Sequence, residues 1–345
     1  MLWFIGLGIS GADGIGSDAS KILKQADVVF LEIFTSPITK SELSKIKRLA
    51  KGEFRTASRL LVEDGKTILK DAKKKRVVLL SYGDPYIATT HIELRTRAIL
   101  EKIKTETIHA ASALTSIVGE CGLHYYKIGK VVTMMKEQQS APTVYYSLYD
   151  NLVAENHTVI VLEYNNDSKF FLDPKEALSN LLLTEDGQKR NVVDSSTFAI
   201  VASRIGSKTQ KIIAGKISNL KKTDFGKPPH TIIIPGRMHF TEFDALKVLA
   251  KCLDEPIDNS SRIVKISDQM LQKYIPKARK ALEQVTNQFK DDKNIKSVLE
   301  NAELYLDDAE KFQSQGKEEL AVLSIGYAEG LIDALRFSKG IDPWA

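Results

Sequence analysis

From residue 1 to about residue 110 the chain repeats one alternation: a short, unbroken apolar run, then a stretch with helical spacing. Residues 2–7, 28–33, 76–81 and 106–110 are the runs, and residues 18–25 and 90–102 carry the helical spacing. A strand that is apolar along its whole length has both faces covered. When such strands alternate with helices, the economical solution is a parallel sheet sandwiched between helical layers. A second stretch repeats the theme, with strands expected at residues 158–163, 197–203 and 231–235 and helices at 174–183 and 243–253. The break between the two falls near residues 111–115. We therefore expect two α/β domains, residues 1–112 and 113–261.

Past residue 262 the strand-like runs stop and the spacing becomes helical. Ile295, Leu299, Ala302, Leu306 and Ala309 step by four and three, as do Leu320, Leu323, Tyr327, Leu331 and Leu335. Ile266, Met270 and Tyr274 begin an earlier helix, Pro276 is expected to kink or restart it, and Gly316 suits a C-terminal cap before the last helix. Residues 262–345 are thus expected to form an all-α appendage.

The bulk numbers exclude several classes. With 43% apolar and 27% charged residues, the 345-residue chain has the balance of a globular protein with a full core. The net charge of +5 is spread among acids, and the basic run Lys73-Lys74-Lys75-Arg76 leads straight into an apolar strand, so it reads as a solvated helix end. No direct nucleic-acid partner is expected. Cys121 and Cys252 are too few for a disulfide framework or a thiolate zinc site, so no metal is expected and both read as reduced core residues of a cytoplasmic protein. The apolar start lacks a basic leader and breaks at Gly6 and Gly8, which fits a buried first strand. No stretch reaches the ~20 apolar residues of a membrane span.

Two motifs carry chemistry. Gly6, Gly8 and Gly11 satisfy G-x-G-x-x-G after a strand, and Glu32 closes the next strand, the fingerprint of a dinucleotide-binding oxidoreductase. However, Asp13-Gly14-Ile15-Gly16 prolongs the loop, so no helix N-terminus follows at the offset a pyrophosphate requires. What survives is close approach of backbone to a ligand or to another segment. The second motif, Gly83-Asp84-Pro85-Tyr86-Ile87-Ala88-Thr89-Thr90-His91, follows a strand, where open α/β sheets bind ligands. Thr90 and Glu93 have capping-box spacing. Asp84 is either a turn aspartate bonding its own backbone or a carboxylate facing a cationic ligand. Three further segments each stand beside a strand: residues 109–115, Ala202-Ser203-Arg204-Ile205-Gly206, and Pro228-Pro229-His230.

Taken together, FIGLGI, GDPYIATTHIELR, ASALTSIVGECGLHYYKIG, RIGSKTQKIIAGKI and DFGKPPHTIIIPGRMHFTE occur in an order that resembles the diphthine synthases, of the tetrapyrrole methylase-like superfamily. The likeness covers residues 1 to about 255. It implies a cleft between two α/β domains for S-adenosylmethionine, with Ile9, Asp84, Ile87, Ser112, Ala113, Leu162, Ile205 and His230 at the cofactor. The elbow at Ser112 reads one residue longer than the family's usual form, and Leu-Glu-Tyr at 162–164 stands where the family has Leu-Asp-Ile. The implied reaction is methylation of the amino nitrogen of a 3-amino-3-carboxypropyl group on a histidine of elongation factor 2, three methyl groups giving diphthine. A homodimer is implied too, and Tyr125, Tyr126, Met134 and Met135 are candidates for its interface. No residue stands out as proton acceptor. The competing readings are a relative acting on a tetrapyrrole or ribosomal RNA, a nicotinamide oxidoreductase, and a binding module using the terminal helices. Those helices resemble an uncharacterised helical domain of archaea.

Overall fold

Five strands build the first sheet, β1 (Leu2–Gly6), β2 (Val28–Glu32), β3 (Glu53–Ala57), β4 (Val77–Ser81) and β5 (Thr105–Ile108), of which the central β1, β2 and β4 are buried on both faces. All pair in parallel, in the order β3-β2-β4-β1-β5. Helices α1 (Ser17–Gln25), α2 (Lys40–Leu49), α3 (Arg59–Asp64), α4 (Lys66–Ala72) and α5 (His91–Leu100) connect them. One face packs around Phe4, Phe30 and Leu79, the other around Ile5, Leu31 and Leu80, which is why these strands alternate in core but not in polarity. The chain leaves β1 toward β2 and leaves β4 toward β5, in opposite directions. The crevice between neighbouring β1 and β4 is therefore a topological switch point, open at the carboxyl ends of the strands.

The computed structural model describes residues 1–166, 168–289, 292 and 294–341; the last four residues of the appendage expected at 262–345 lie outside the described residues. The second half runs through α6 (Ala113–Glu120), β6 (Val132–Met134), α7 (Ala141–Val153), β7 (Thr158–Leu162), the small hairpin β8 (Tyr164–Asn165) and β9 (Phe170–Phe171), and α8 (Pro174–Gln188). It continues through β10 (Phe198–Ser203), β11 (Lys211–Lys216), α9 (Ile217–Leu220), β12 (His230–Ile234), α10 (Phe240–Leu249) and β13 (Lys251–Cys252). Its sheet has the order β13-β11-β10-β12-β7-β6 and is mixed, with β10 antiparallel to both β11 and β12. Met1–Ile263 form one compact unit, within which α6 packs into the second sheet's core through Ile117, Val118 and Cys121.

From Val264 the chain forms a separate unit of three helices, α11 (Ile266–Gln288), α12 (Lys296–Ser314) and α13 (Glu318–Ser338). Leu271, Leu282, Ala302, Leu306, Ile325 and Ile332 fill its core. Gly316, at φ +67°, turns the chain between the last two helices, a backbone conformation that suits glycine. No described helix is long and apolar enough to cross a membrane.

Several local expectations are corrected. The helix expected at 243–253 is α10, and it starts earlier because the His239 ring accepts from Thr241 N at 3.4 Å while Glu242 Oε2 accepts from His239 N at 2.7 Å. It also stops earlier, because Lys251 and Cys252 leave to pair with β11. The capping box is thus at His239 and Glu242; Thr90 makes no side-chain cap. Pro276 sits inside an uninterrupted α11. Met134 is fully buried in the second core, which removes it from any interface, whereas Tyr125 and Tyr126 are exposed.

Candidate active site

The loops leaving the carboxyl ends of β1, β4 and β5 are drawn together by backbone contacts that only small residues permit. Gly8 and Gly83 exchange N–H···O bonds of 3.2 and 3.0 Å. A Cβ on Gly6 would lie 2.4 Å from Gly83 O and 2.8 Å from the Ala110 Cβ, so any side chain there would push the three loops apart. The space beside Gly83 is filled by Ser112, 3.6 Å from where a Cβ would stand. Ser112 is the N-cap of α6, its hydroxyl accepting from Leu114 N at 3.3 Å. The elbow's two candidates therefore begin α6: Ser112 is buried, and Ala113 is the exposed first residue of the helix.

Asp84 is the organiser of this corner. It is 5% exposed, and both its oxygens accept N–H groups of the protein: Oδ1 from Tyr86 N at 2.9 Å, Oδ2 from His109 Nδ1 at 2.7 Å and from Ala110 N at 3.3 Å. It is a turn aspartate that also clamps the loop after β5. Behind it lies a second buried link. His91 Nδ1 donates to Pro85 O at 3.0 Å, while its Nε2 stands 3.5 Å from Glu32 Oε2, and Thr35 donates to the other Glu32 oxygen. The strand-end carboxylate that a dinucleotide site would offer to a ribose is here buried against protein. Ile87, in the stretch between these groups, is 37% exposed.

The second sheet meets this corner through the loop after β10. A Cβ on Gly206 (φ +80°) would lie 2.5 Å from Ile9 Cδ1, so Ile9 of the first half rests directly on this loop of the second. Ile205 packs into the second sheet's core. Arg204 N donates to Pro229 O at 3.0 Å, tying the loop to the segment ahead of β12. His230 opens β12 opposite Ser203, and the β12–β7 register carries Leu162 across from His230. Strand alternation puts Leu162, Ser203 and His230 on the face that packs Ile160, Val201 and Ile232. Burial pushes the His230 pKa down, although its ring lies 3.2 Å from Gly226 O, which works the other way.

The contacts and registers thus link Ile9 with Gly206, next to Ile205, Gly83 with Ser112, Asp84 with His109 and Ala110 ahead of the elbow, and His230 with Leu162. The residue that sequence reasoning passed over is His109, because its bond to Asp84 depends on β4 and β5 flanking β1 in step.

Whether these residues suit S-adenosylmethionine can be tested on what they offer. The Ser81 and Ser203 hydroxyls, at the ends of β4 and β10, are buried with no hydrogen-bond partner among the described residues. Such groups are normally satisfied by water or ligand. Ile9, Leu162 and Ile205 supply apolar surface for a purine and a thioether chain, and the glycine-lined backbone supplies polar groups at close range. The residues fit the molecule. They fit a pyrophosphate less well: a 3-10 turn (Gly11–Gly14) intervenes before α1, whose N-cap Gly16 has no side chain to offer. Among the described residues no group of three or more His, Cys, Asp or Glu could hold a metal ion.

A parallel sheet with its ligand crevice at β1 and β4, joined loop to loop to a mixed second sheet, defines the class: the tetrapyrrole (corrin/porphyrin) methylase family matches residues 1–221. A family of proteins of unknown function (DUF357) matches residues 273–341. The diphthine synthase of Methanocaldococcus jannaschii is 35% identical over 256 residues, 73% of this chain and 99% of that protein. That of Methanosphaera stadtmanae is 34% identical over 255 residues, 72% of this chain and 96% of the relative. Among solved structures, a diphthine synthase superposes with a TM-score of 0.63 at 30% identity, covering 73% of this chain and 96% of that one. The chain belongs to the diphthine synthase family.

Proposed function

We propose that the chain uses S-adenosylmethionine to methylate the amino group of a 3-amino-3-carboxypropyl-histidine on elongation factor 2, giving diphthine. The observation that carries this is the joint of the two sheets, where Ile9 meets Gly206 and Gly83 meets Ser112, in a chain that matches diphthine synthases over nearly their whole length. When bound, the cofactor supplies an electrophilic methyl group already activated by its sulfonium. The protein's task is then alignment, since holding reactants in register supplies much of the rate. Ile9, Leu162 and Ile205 would enclose the apolar parts, the glycine backbone and Ser112 would bind polar edges, and Asp84 would hold the turn that carries Ile87.

Nitrogen methylation ends by itself, because the quaternary product has no lone pair left; three methyl groups are the expected outcome. Esterification of the neighbouring carboxylate would need the substrate to pivot. Tyr164, whose ring stacks on Phe171 with centroids 4.6 Å apart, stands on the hairpin next to Leu162. We further propose a homodimer in the cytoplasm, with exposed Tyr125 and Tyr126 at the interface; light scattering should return twice the monomer mass.

The test is calorimetry with S-adenosylhomocysteine and with NAD, followed by mass spectrometry of archaeal elongation factor 2 carrying the unmethylated adduct. Tight binding of the first ligand, weak binding of the second and a gain of three methyl groups are expected. Tight NAD binding without S-adenosylhomocysteine binding would overturn the reading, and a base-labile fourth methyl would overturn the product.

A further inference from the structure

We propose that His109 takes the proton from the substrate's ammonium group, with Asp84 as its positioning residue; this rests on the methyltransferase reading above. Methyl transfer to nitrogen needs a free lone pair, and an alkylammonium has none. A proton must therefore leave before each transfer.

Of the six histidines in the chain, His109 alone combines exposure, a buried carboxylate behind it and a place at the carboxyl end of the parallel sheet. Its side chain is 68% exposed, while that of Asp84 is 6% exposed. A carboxylate accepts, so the 2.7 Å contact fixes the hydrogen on His109 Nδ1 and leaves Nε2 as the ring's acceptor. That is the arrangement by which a buried aspartate holds a histidine base in the working tautomer and faces the charge that forms on the ring. The Tyr86 ring meets the imidazole edge-on, centroids 6.0 Å apart, and its hydroxyl pairs with Thr107 at 3.0 Å. Arg95 of α5 lies over the same Tyr86 ring, 5.5 Å from its centroid.

The other histidines are placed for different work. His91 is buried between Pro85 O and Glu32, and His157 is sealed against Glu242. His124 and His239 sit with Thr241 at the start of α10. His230 lies beside Gly226 O within the second half.

In the step proposed, an N–H bond of the ammonium breaks, its electron pair stays on nitrogen as the lone pair, and the proton joins the Nε2 lone pair of His109. The imidazolium returns the proton to water before the next round. Asp84 keeps its bond to Nδ1 throughout and takes no proton from the substrate itself.

The experiment compares the whole chain with His109→Gln and His109→Ala, using saturating S-adenosylmethionine and the unmethylated elongation-factor adduct across a range of pH. Near neutral pH both variants should lose about 10²-fold or more in kcat, with KM changed little. The deficit should shrink as pH rises, because the ammonium then loses its proton to solvent without help. Added imidazole should restore part of the His109→Ala rate, and S-adenosylhomocysteine should bind both variants as it binds the parent in calorimetry. Full turnover by His109→Gln near neutral pH would overturn the proposal. So would a deficit that neither pH nor imidazole relieves, or a loss of S-adenosylhomocysteine binding, since either marks His109 as merely structural. Failure of the unaltered chain to methylate strikes the functional reading instead, and is told apart because it appears before any substitution.

Discussion

Glu242 is fully buried and still ionised, because four donors converge on it. Burial pushes its pKa up, but bonds from His239 N, His124 N, Lys127 Nζ and His157 Nε2 outweigh that and bring it down to about 2. His157 is fixed as a neutral ring by its other nitrogen, which accepts from Gly236 N at 3.0 Å, and burial lowers its pKa. Both groups act in the same direction. A carboxyl with a depressed folded pKa contributes stability above its unfolded value, near 4.5, and loses it as pH falls toward 2. A histidine kept neutral by burial contributes above its unfolded value of 6.5 and loses it on acidification. Stability should therefore begin to fall below about pH 6.5 and fall more steeply below about pH 4.5. Glu242→Gln should cost about 3 kcal/mol near neutral pH, since it strands buried donors, and should flatten the acid limb. Denaturant titrations of both proteins from neutral to acid pH would show this, and parallel curves would refute it. At this same scale the candidate site was partly legible. Ile9, Asp84, Ser112, Ile205 and His230 each stand beside an apolar run, where a ligand end is expected. The bonds Asp84 makes with His109 and Ala110 were not legible, because they depend on which strands lie side by side.

Among elements, continuous apolar runs were easy to read and half-exposed ones were not. β3 (Glu-Phe-Arg-Thr-Ala) is an edge strand with one side in solvent, and β11 carries lysines at both ends and a glycine within, so neither shows an unbroken apolar run. The terminal helices show another failure. On α13 Leu331 and Leu335 of the expected stripe do face the core, but Leu320, Leu323 and Tyr327 are exposed, and in that part of the helix Ala321, Ile325 and Ala328 are buried instead. Small residues let α13 lie close to its neighbours, and reading by bulk shifts the stripe by one position. Pro276 is the case where the local rule was overridden. It cannot donate to the carbonyl one turn back, which costs roughly 3 kcal/mol in a helix interior, yet α11 continues because Ile275, Ala278 and Leu282 are held in the core. Pro276 itself is exposed, so Pro276→Ala removes nothing from that core. The substitution should stabilise the helical unit by about 1–3 kcal/mol. Hydrogen exchange should then slow across α11, and unchanged protection would show that the helix is broken there in solution.

For the whole molecule the question is where the enzyme ends. The periodicity change near residue 262 places the boundary just after Ser261, but the segment around it is tied into the larger unit. Asn259, fully buried, bonds Phe198 N at 3.0 Å, Phe198 O at 2.9 Å and Pro235 O at 2.7 Å, pinning the chain beside β10 and β12. Arg262 reaches Asp194 at 3.0 Å and bonds Thr197, and Ile263 packs on the second sheet's core. The helices from Val264 on have their own core, built from α11, α12 and α13. Two truncations should therefore behave differently. A chain ending at Ile263 keeps these ties, and should fold cooperatively and bind S-adenosylhomocysteine like the full protein. A chain ending at Ser261 loses the Arg262 bonds and the Ile263 contact. It should be less stable by about 1–3 kcal/mol, the scale of one lost charged hydrogen-bond set plus one partly buried aliphatic side chain. Thermal unfolding of the two, with calorimetry on each, separates the outcomes. Equal stability would show that Arg262 and Ile263 add nothing to the larger unit. If the chain ending at Ile263 folds but no longer binds the ligand, the helices belong to the binding unit, and the family match over residues 1–221 understates what the site requires.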